Sequence, residues 1–549
     1  MPPRTTALAL SVRVLLALAT RTFFQPDEFF QSLEPAHRIV FGYGNLTWEW
    51  LAPNPIRSIV YPALNLPVYW ALKTLGLDGT ELLILAPKVL HGALAAGTDI
   101  WIREVARGVL GERYVSTAYF LSLTSFFHGL SLSRSLSNSL ETTLTTIALS
   151  HFPWDPARAL SRSHLRRMLI FAALACSVRT TNAVLWIYLV PVLLWRLRAH
   201  RRHLVAVILD ASFIGLCALL SLFALDTAYY GTPTLTPLAF LLTNASPVSL
   251  FYGTSPWHYY LTQALPLLCG PALPFVLHGI SKPQSARSRT ALGLVLWTTC
   301  VYSLAGHKEW RFLRPLLPLL HLFAAKSLVD AFHAPPAPPL APARRPRLPI
   351  RKPHLLLLLL SLPPIAYTAL SHAHAQLSVL RYLRALPATD LRSLGFLMPC
   401  HSTPGQSHLH RPLGEGRVWA LGCEPPLGLR GDALNAYRDQ TDVFYASPAA
   451  YLAAHFPPRV DARFPPSPRP TTPPGTVLSA ADAAWAHAWP SHLVFFGALL
   501  RDDGGADVRP RLEGLGYREV WAAGSGLEED RRRRGGVRVW KYDAALDRG

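Results

Sequence analysis

A chain of 549 residues that is 50% hydrophobic and only 16% charged, with a mean hydropathy of +0.22, falls short of the roughly one-quarter charged content of soluble domains. That deficit points to a polytopic membrane protein. The formal net charge of +20 lies largely in short basic runs between apolar segments, as in cytosolic loops under the positive-inside rule. It therefore argues for membrane lipids as the surroundings and against a nucleic-acid partner, whose binders gather Lys and Arg on a soluble module.

The first apolar stretch, 7–22, lacks a small-residue cleavage site and reads as an uncleaved span. It runs into "RTFFQPDEFFQSLEPAH", which sets Asp27 and Glu28 among aromatics where the chain leaves the bilayer. The next segment, 23–81, reads as a large luminal loop, with the short proline-interrupted run 58–72 lying along the membrane surface. Spans are expected near 82–100, 114–130, 136–153, 203–225, 263–280, 291–306, 313–333 and 353–370. The stretch 168–195 breaks at "RTTN" (Arg179–Asn182), and each half is shorter than the roughly 20 residues a crossing helix needs. Arginines flank both of its ends, so two helices meeting at a sharp turn are expected, with Arg179 near the luminal side.

Basic loops at 281–290 and 342–353 orient the remainder. They place 226–262, "HKEWRF" at 307–312 and everything after about 371 in the lumen. The predicted fold is a polytopic all-α membrane protein of roughly 10–12 spans. Its expected parts are a first transmembrane helix (1–22), a luminal catalytic loop (23–81), a transmembrane domain (82–370, with a proline-rich cytosolic linker at 334–352) and a luminal α/β domain (371–549). Of the 6 cysteines, Cys176, Cys217, Cys269 and Cys300 lie in apolar segments and read as inert thiols. Cys400 and Cys423 are free to pair if their region faces an oxidising lumen. No metal-ligand spacing is present.

Charged groups at the bilayer edge are costly and hence functional candidates. Two groups share the luminal side: Asp27 with Glu28, and "HKEWRFLRP", which holds His307, Lys308, Glu309, Arg311 and Arg314. A carboxylate can take a proton from an attacking hydroxyl. Lys and Arg can hold a phosphate as it leaves. The combination suits group transfer from a phosphorylated donor. The residues leave alternatives open: the acidic pair as a helix-start cap, the basic cluster as an interface belt, and "RSLSNSLE" with Arg179 as an internal ion-pair network. Lys88, His91, Asp99 and Asp210 read as structural, and Asn45 and Asn244 head glycosylation sequons.

"QPDEFFQSLEPAH", "LTWEW", "RSLSNSLET", "FYGTSPWHYY" and "HKEWRF" together resemble the dolichyl-phosphate-mannose-dependent mannosyltransferases of the endoplasmic reticulum (glycosyltransferase family 22). The resemblance covers roughly residues 20–330. "LTWEW", "FLMPCHSTPGQSHLHRP" and "CEPP" are similar to the branch that adds the third, α1,2-linked mannose to the glycosylphosphatidylinositol precursor. This implies a GT-C fold and a multi-pass protein of the endoplasmic reticulum membrane with a luminal site. The implied donor is dolichyl-phosphate mannose and the implied acceptor is the precursor glycolipid. Asp27 would be the base, with Glu28 assisting. His307, Lys308 and Arg311, with Arg179 as a further candidate, would engage the donor phosphate. Glu309, Trp257, His258 and Trp48 would bind substrate. Because dolichyl phosphate leaves already activated, neither metal nor cofactor is implied. The chain departs from the family pattern at Ser255, Ala264, Gly405 and Gln406. Three rivals stand beside this reading: the same chemistry on another acceptor, a transporter or scramblase, and a silent scaffold.

Overall fold

The computed structural model describes residues 3–155, 161–331, 350–427, 429, 431–468, 485–501 and 507–544. The expected linker 334–352 lies almost wholly outside them. Among the described residues, six helical segments are long and apolar enough to cross a membrane: Leu82–Val109, Thr180–Leu197, Arg201–Tyr230, Tyr260–Ser281, Trp310–Asp330 and Lys352–Ala385. The helices Pro3–Ala19, Ser137–His151, Arg162–Val178 and Ala286–Ser303 are shorter or more polar. At "RTTN" one helix ends at Val178, and a 3-10 turn over Thr180–Asn182 leads into Ala183–Leu197. The second half was expected to be too short to cross. The turn extends it to 18 residues, which meets the length that its 15-residue α-helix misses.

The spans divide by their environment. Helix Leu317–Asp330 has Leu317, Leu319, Leu320, Phe323, Ala324 and Leu328 all buried, so it is an interior helix surrounded by others. Helix Arg201–Tyr230 turns Leu209, Phe213, Leu216 and Leu220 outward, the all-round apolar surface of a lipid-facing span. Inside the bundle, Arg13 and Asp99 are both fully buried and paired at 2.6 Å, and Ser122 binds both. Asp99 is thus structural.

The C-terminal region carries a five-stranded sheet in the order β2-β1-β3-β5-β4. Its strands are β1 (Leu394–Leu397), β2 (Val418–Ala420), β3 (His492–Phe496), β4 (Tyr517–Ala523) and β5 (Val537–Tyr542). β1 runs parallel to β2 and β3, and β5 is antiparallel to β3 and β4. The central run "HLVFF" is buried on both faces, as a covered strand must be. Alternation sends Leu493 and Phe495 into a core with Trp419, Phe444 and Trp540. Val494 and Phe496 go to the other face, against Val379, Leu380 and Leu383 of helix Ala375–Ala385. That helix is amphipathic and follows the last apolar segment directly, so it ties sheet to bundle.

Candidate functional site

Asp27 and Glu28 open the first turn of a helical stretch that continues through a π-turn, Phe29–Leu33, into Glu34–Phe41. Consecutive residues on a helix point about 100° apart, so the two carboxylates separate. Glu28 turns into the protein. Its Oε1 accepts from the Gln25 amide at 3.1 Å and from Arg134 at 3.3 Å, and Arg134 also binds the Thr22 carbonyl and hydroxyl. The helix-cap alternative therefore describes Glu28. Burial pushes its carboxyl above the ordinary range against the pull of Arg134.

Asp27 faces the basic cluster. Its Oδ2 accepts from Arg311 Nη1 at 2.6 Å. Among the described residues Oδ1 accepts no hydrogen bond. Arg311 also grips Glu309, with Nε to Oε2 at 2.6 Å and Nη2 to Oε1 at 2.8 Å. His307 Nε2 lies 3.3 Å from Glu309 Oε1, and His307 Nδ1 lies 3.1 Å from the Gly253 carbonyl. Burial would raise the Glu309 carboxyl, but Arg311 and His307 overcome it and hold the group at about 2. The same contact to Glu309 raises His307 above its usual value.

Lys308 is buried and donates to the Ser255 carbonyl at 2.8 Å. With the Ser255 amide bound to the Gly306 carbonyl at 3.1 Å, this fastens "GTSPW" to "HKEWRF". Trp257 remains 70% exposed, with the His258 ring as its aromatic neighbour, and His258 bonds Thr262 at 3.0 Å. No ring contact or hydrogen bond among the described residues joins either one to the Asp27–Arg311–Glu309 cluster. Lys308 fixes the backbone of the loop that carries them. Arg314 turns inward, fully buried, with its guanidinium 5.8 Å from the Phe127 ring.

Arg179 pairs with Glu141 at 3.2 Å and donates to Ser137 Oγ at 3.0 Å. Glu141 also accepts from Asn182 at 3.0 Å and Asn138 at 3.3 Å. The "RSLSNSLE" and "RTTN" segments thus form one polar network, as the ion-pair alternative expects. Arg179 and Arg57 nevertheless line one small cleft with Ser137 and Thr181. Sequence reasoning missed Arg57, which sits alone in a loop without motif character; the fold pairs it with Glu49 of "LTWEW" at 2.5 Å.

The segment 400–410 docks on the stretch that follows the first helix. Glu34 Oε1 accepts from the Gly405 amide at 2.9 Å, the Ser407 amide at 3.0 Å and the Ser407 hydroxyl at 2.5 Å. A Cβ on residue 405 would stand 2.8 Å from Glu34 Oε2, which accounts for glycine at this departure from the family pattern. His37 Nε2 lies 2.9 Å from His410 Nδ1, and His410 Nε2 lies 3.3 Å from Asp78. Cys400 and Cys423 form a disulfide with Cα atoms 5.8 Å apart. Those two cysteines and His401 are the group compact enough for a metal ion among the described residues; the disulfide consumes both thiols.

Between the C-terminal region and the stretch after the first helix lies a cavity of about 450 Å³, lined by Phe30, Trp48 and Thr47 on one side and by His401, Trp419 and Glu424 on the other. The Phe30 ring, three residues after Asp27, packs 4.5 Å from His401. Trp48 thus lines a recess into which the Asp27 helix sends Phe30.

Residues 5–410 match the sequence model of the Alg9-like mannosyltransferase family. GPI mannosyltransferase 3 of Yarrowia lipolytica is 35% identical over 530 residues, spanning 96% of this chain and 95% of its own. GPI alpha-1,2-mannosyltransferase 3 of Danio rerio is 36% identical, spanning 82% of this chain and 80% of its own. The protein of the same description from Homo sapiens is 33% identical, spanning 81% and 76%. Among solved structures, ArnT from Cupriavidus metallidurans bound to undecaprenyl phosphate aligns with a TM-score of 0.55 over 99% of this chain and 98% of that one. At 10% identity, that likeness speaks to the fold alone.

Proposed function

Because the chain belongs to the Alg9-like mannosyltransferase family, we propose that it is the α1,2-mannosyltransferase of glycosylphosphatidylinositol-anchor biosynthesis that adds the third mannose, drawing it from dolichyl-phosphate mannose on the luminal face of the endoplasmic reticulum. The observation that carries the mechanism is the divided Asp27 carboxylate, with Oδ2 pinned by Arg311 and Oδ1 unoccupied. In the reaction, Oδ1 takes the proton of the acceptor mannose 2-hydroxyl. The hydroxyl oxygen bonds to donor C1 from the face opposite the phosphate, the C1–O bond to phosphate breaks, and dolichyl phosphate leaves with the electron pair. Configuration at C1 inverts.

Arg311 acts chiefly as a positioning residue, since both of its edges are spent on Asp27 and Glu309. The unspent donors of Lys308 and the Arg57–Arg179 cleft are the groups that hold the phosphate, and His307, both of whose ring nitrogens are taken by Glu309 and the Gly253 carbonyl, adds its positive charge nearby. Glu28 anchors the helix start rather than touching sugar. Family membership sets aside the transporter and scaffold readings. On this reading 23–81 is the catalytic loop and 371–549 the luminal domain.

The test is complementation. Expressed in cells lacking the third anchor mannosyltransferase, the chain should convert the accumulated two-mannose lipid to the three-mannose form. An unchanged two-mannose pool would sink the acceptor assignment, and extension of N-glycan intermediates instead would identify the replacement.

His307 supplies a pH signature. Its pKa is raised by Glu309, so the imidazolium and its contribution are complete below about 6.5 and are lost as pH rises through the raised value. kcat/KM for donor should therefore fall along an alkaline limb. In His307→Gln that limb should vanish and activity at pH 6 should drop about tenfold, the order of one unit charge lost near the phosphate at a protein surface. An identical alkaline limb in the variant would remove His307 from donor binding.

A further inference from the structure

The cavity lined by Phe30, Trp48 and His401 contains a charged group that the transfer chemistry leaves unused. Glu424, in "CEPP", lays its carboxylate against Gly422, where a Cβ would lie 2.3 Å from Oε2, so the glycine lets the carboxylate lie close to the backbone. Its backbone is fixed independently: Tyr437 donates to the Glu424 carbonyl at 2.6 Å, and the following Pro425 restricts its conformation. Yet no Lys, Arg or His pairs with this carboxylate among the described residues. The other charged side chain on the cavity wall, Arg38, is exposed and donates to the Gly44 carbonyl at 2.8 Å.

The rest of the wall is aromatic and neutral. Trp48, Trp419, Tyr437 and Trp485 line it. Trp419 is stacked on His487 at 4.1 Å. Gln440 donates to His487 Nε2 at 2.9 Å, and His487 Nδ1 is left buried without a partner. Thr47 Oγ1 is likewise buried and unpartnered. Flat aromatic faces with scattered unpaired polar atoms match a sugar's apolar faces and hydroxyls. A lone carboxylate held in partial burial costs free energy until a cation meets it, and surrounding rings add cation–π attraction for an ammonium group. Burial also raises the Glu424 carboxyl above its ordinary range, as expected of a site awaiting its counter-charge.

We infer that this cavity is the acceptor-glycan site, and that Glu424 binds a primary ammonium group carried by that glycan. The inference rests on the mannosyltransferase reading for the glycan's identity but not for its charge. Two parts of an anchor-type glycan can supply such a group: an unacetylated amino sugar in the backbone, or an ethanolamine phosphate branch.

The full chain, purified in detergent, is titrated calorimetrically with three probes. These are a dimannosyl-glucosaminyl-inositol glycan with a free amine, the same glycan N-acetylated, and the N-acetylated glycan bearing ethanolamine phosphate. The free-amine glycan should bind at least tenfold more tightly than its N-acetylated form if the amino sugar is the source. Recovery in the third probe alone would assign the ethanolamine branch. Either preference should disappear in Glu424→Gln and persist in Glu424→Asp, with both variants melting as wild type does. Equal binding of all probes by wild type, or a preference retained in Glu424→Gln, overturns the inference. Mannose transfer without amine preference would leave the enzymatic reading standing and this one fallen. Amine-dependent binding without transfer would do the reverse.

Discussion

Asp27→Asn should lose mannose transfer by about 10³-fold at unchanged protein abundance, the scale of a positioned general base. Asparagine keeps the shape and still offers Arg311 an oxygen, while Arg311 retains Glu309 at 2.6 Å. The fold around the site thus has little reason to respond. What disappears is the proton acceptor at Oδ1. Glu28→Gln should give the opposite signature, with abundance lost before activity per molecule, because Arg134 would be left buried without its anion. Lipid-linked glycan analysis normalised to protein, run on both variants, separates the two carboxylates. Wild-type transfer by Asp27→Asn would dismiss it as the base.

The largest stability effect is expected deep in the bundle. Arg13 and Asp99 are both 0% exposed and joined by two hydrogen bonds, at 2.6 and 2.8 Å, with Ser122 completing the network. Removing one partner strands a buried charge, so Asp99→Leu should destabilise the protein by about 3–5 kcal/mol. Replacing both, Arg13→Met with Asp99→Leu, should recover most of that loss. Thermal unfolding in detergent across the double-mutant cycle measures the coupling. A single variant that melts with wild type would show that the pair contributes nothing net. The ion pair lies among helices Pro3–Ala19, Leu82–Val109 and Val115–Thr124, so its loss should loosen the scaffold that carries the Asp27 helix.

The cavity and the site are connected through short contacts. Phe30 links Asp27's helix to His401, and His401 follows the disulfide-bonded Cys400. Glu34 and His37, farther along the same helical stretch, clasp the segment 405–410. One helical stretch thus presents Asp27 to Arg311 and its remaining faces to the C-terminal region. On the proposed mechanism Asp27 is the base and this cavity seats the glycan.

What the sequence determined by itself was whatever depends on local composition and periodicity. The paucity of charge and the apolar runs gave the membrane-embedded helical class. The break at Arg179–Asn182 marked a turn, since polar residues interrupt a helix wherever it packs. The two charged clusters, at Asp27 and at His307–Arg311, stood out because charge at a bilayer edge is costly, and their motifs carried the family resemblance. The tertiary structure decided everything that depends on direction. It turned Glu28 to Arg134 and Asp27 to Arg311, because neighbours on a helix face different ways. It spent Arg179 on Glu141, brought Arg57 to Glu49, and left Trp257 outside. The cavity was the least legible feature, since its walls, Trp48 and Trp419 with Glu424 between them, lie hundreds of residues apart. Only the docking of the folded C-terminal region onto the stretch after the first helix brings them together.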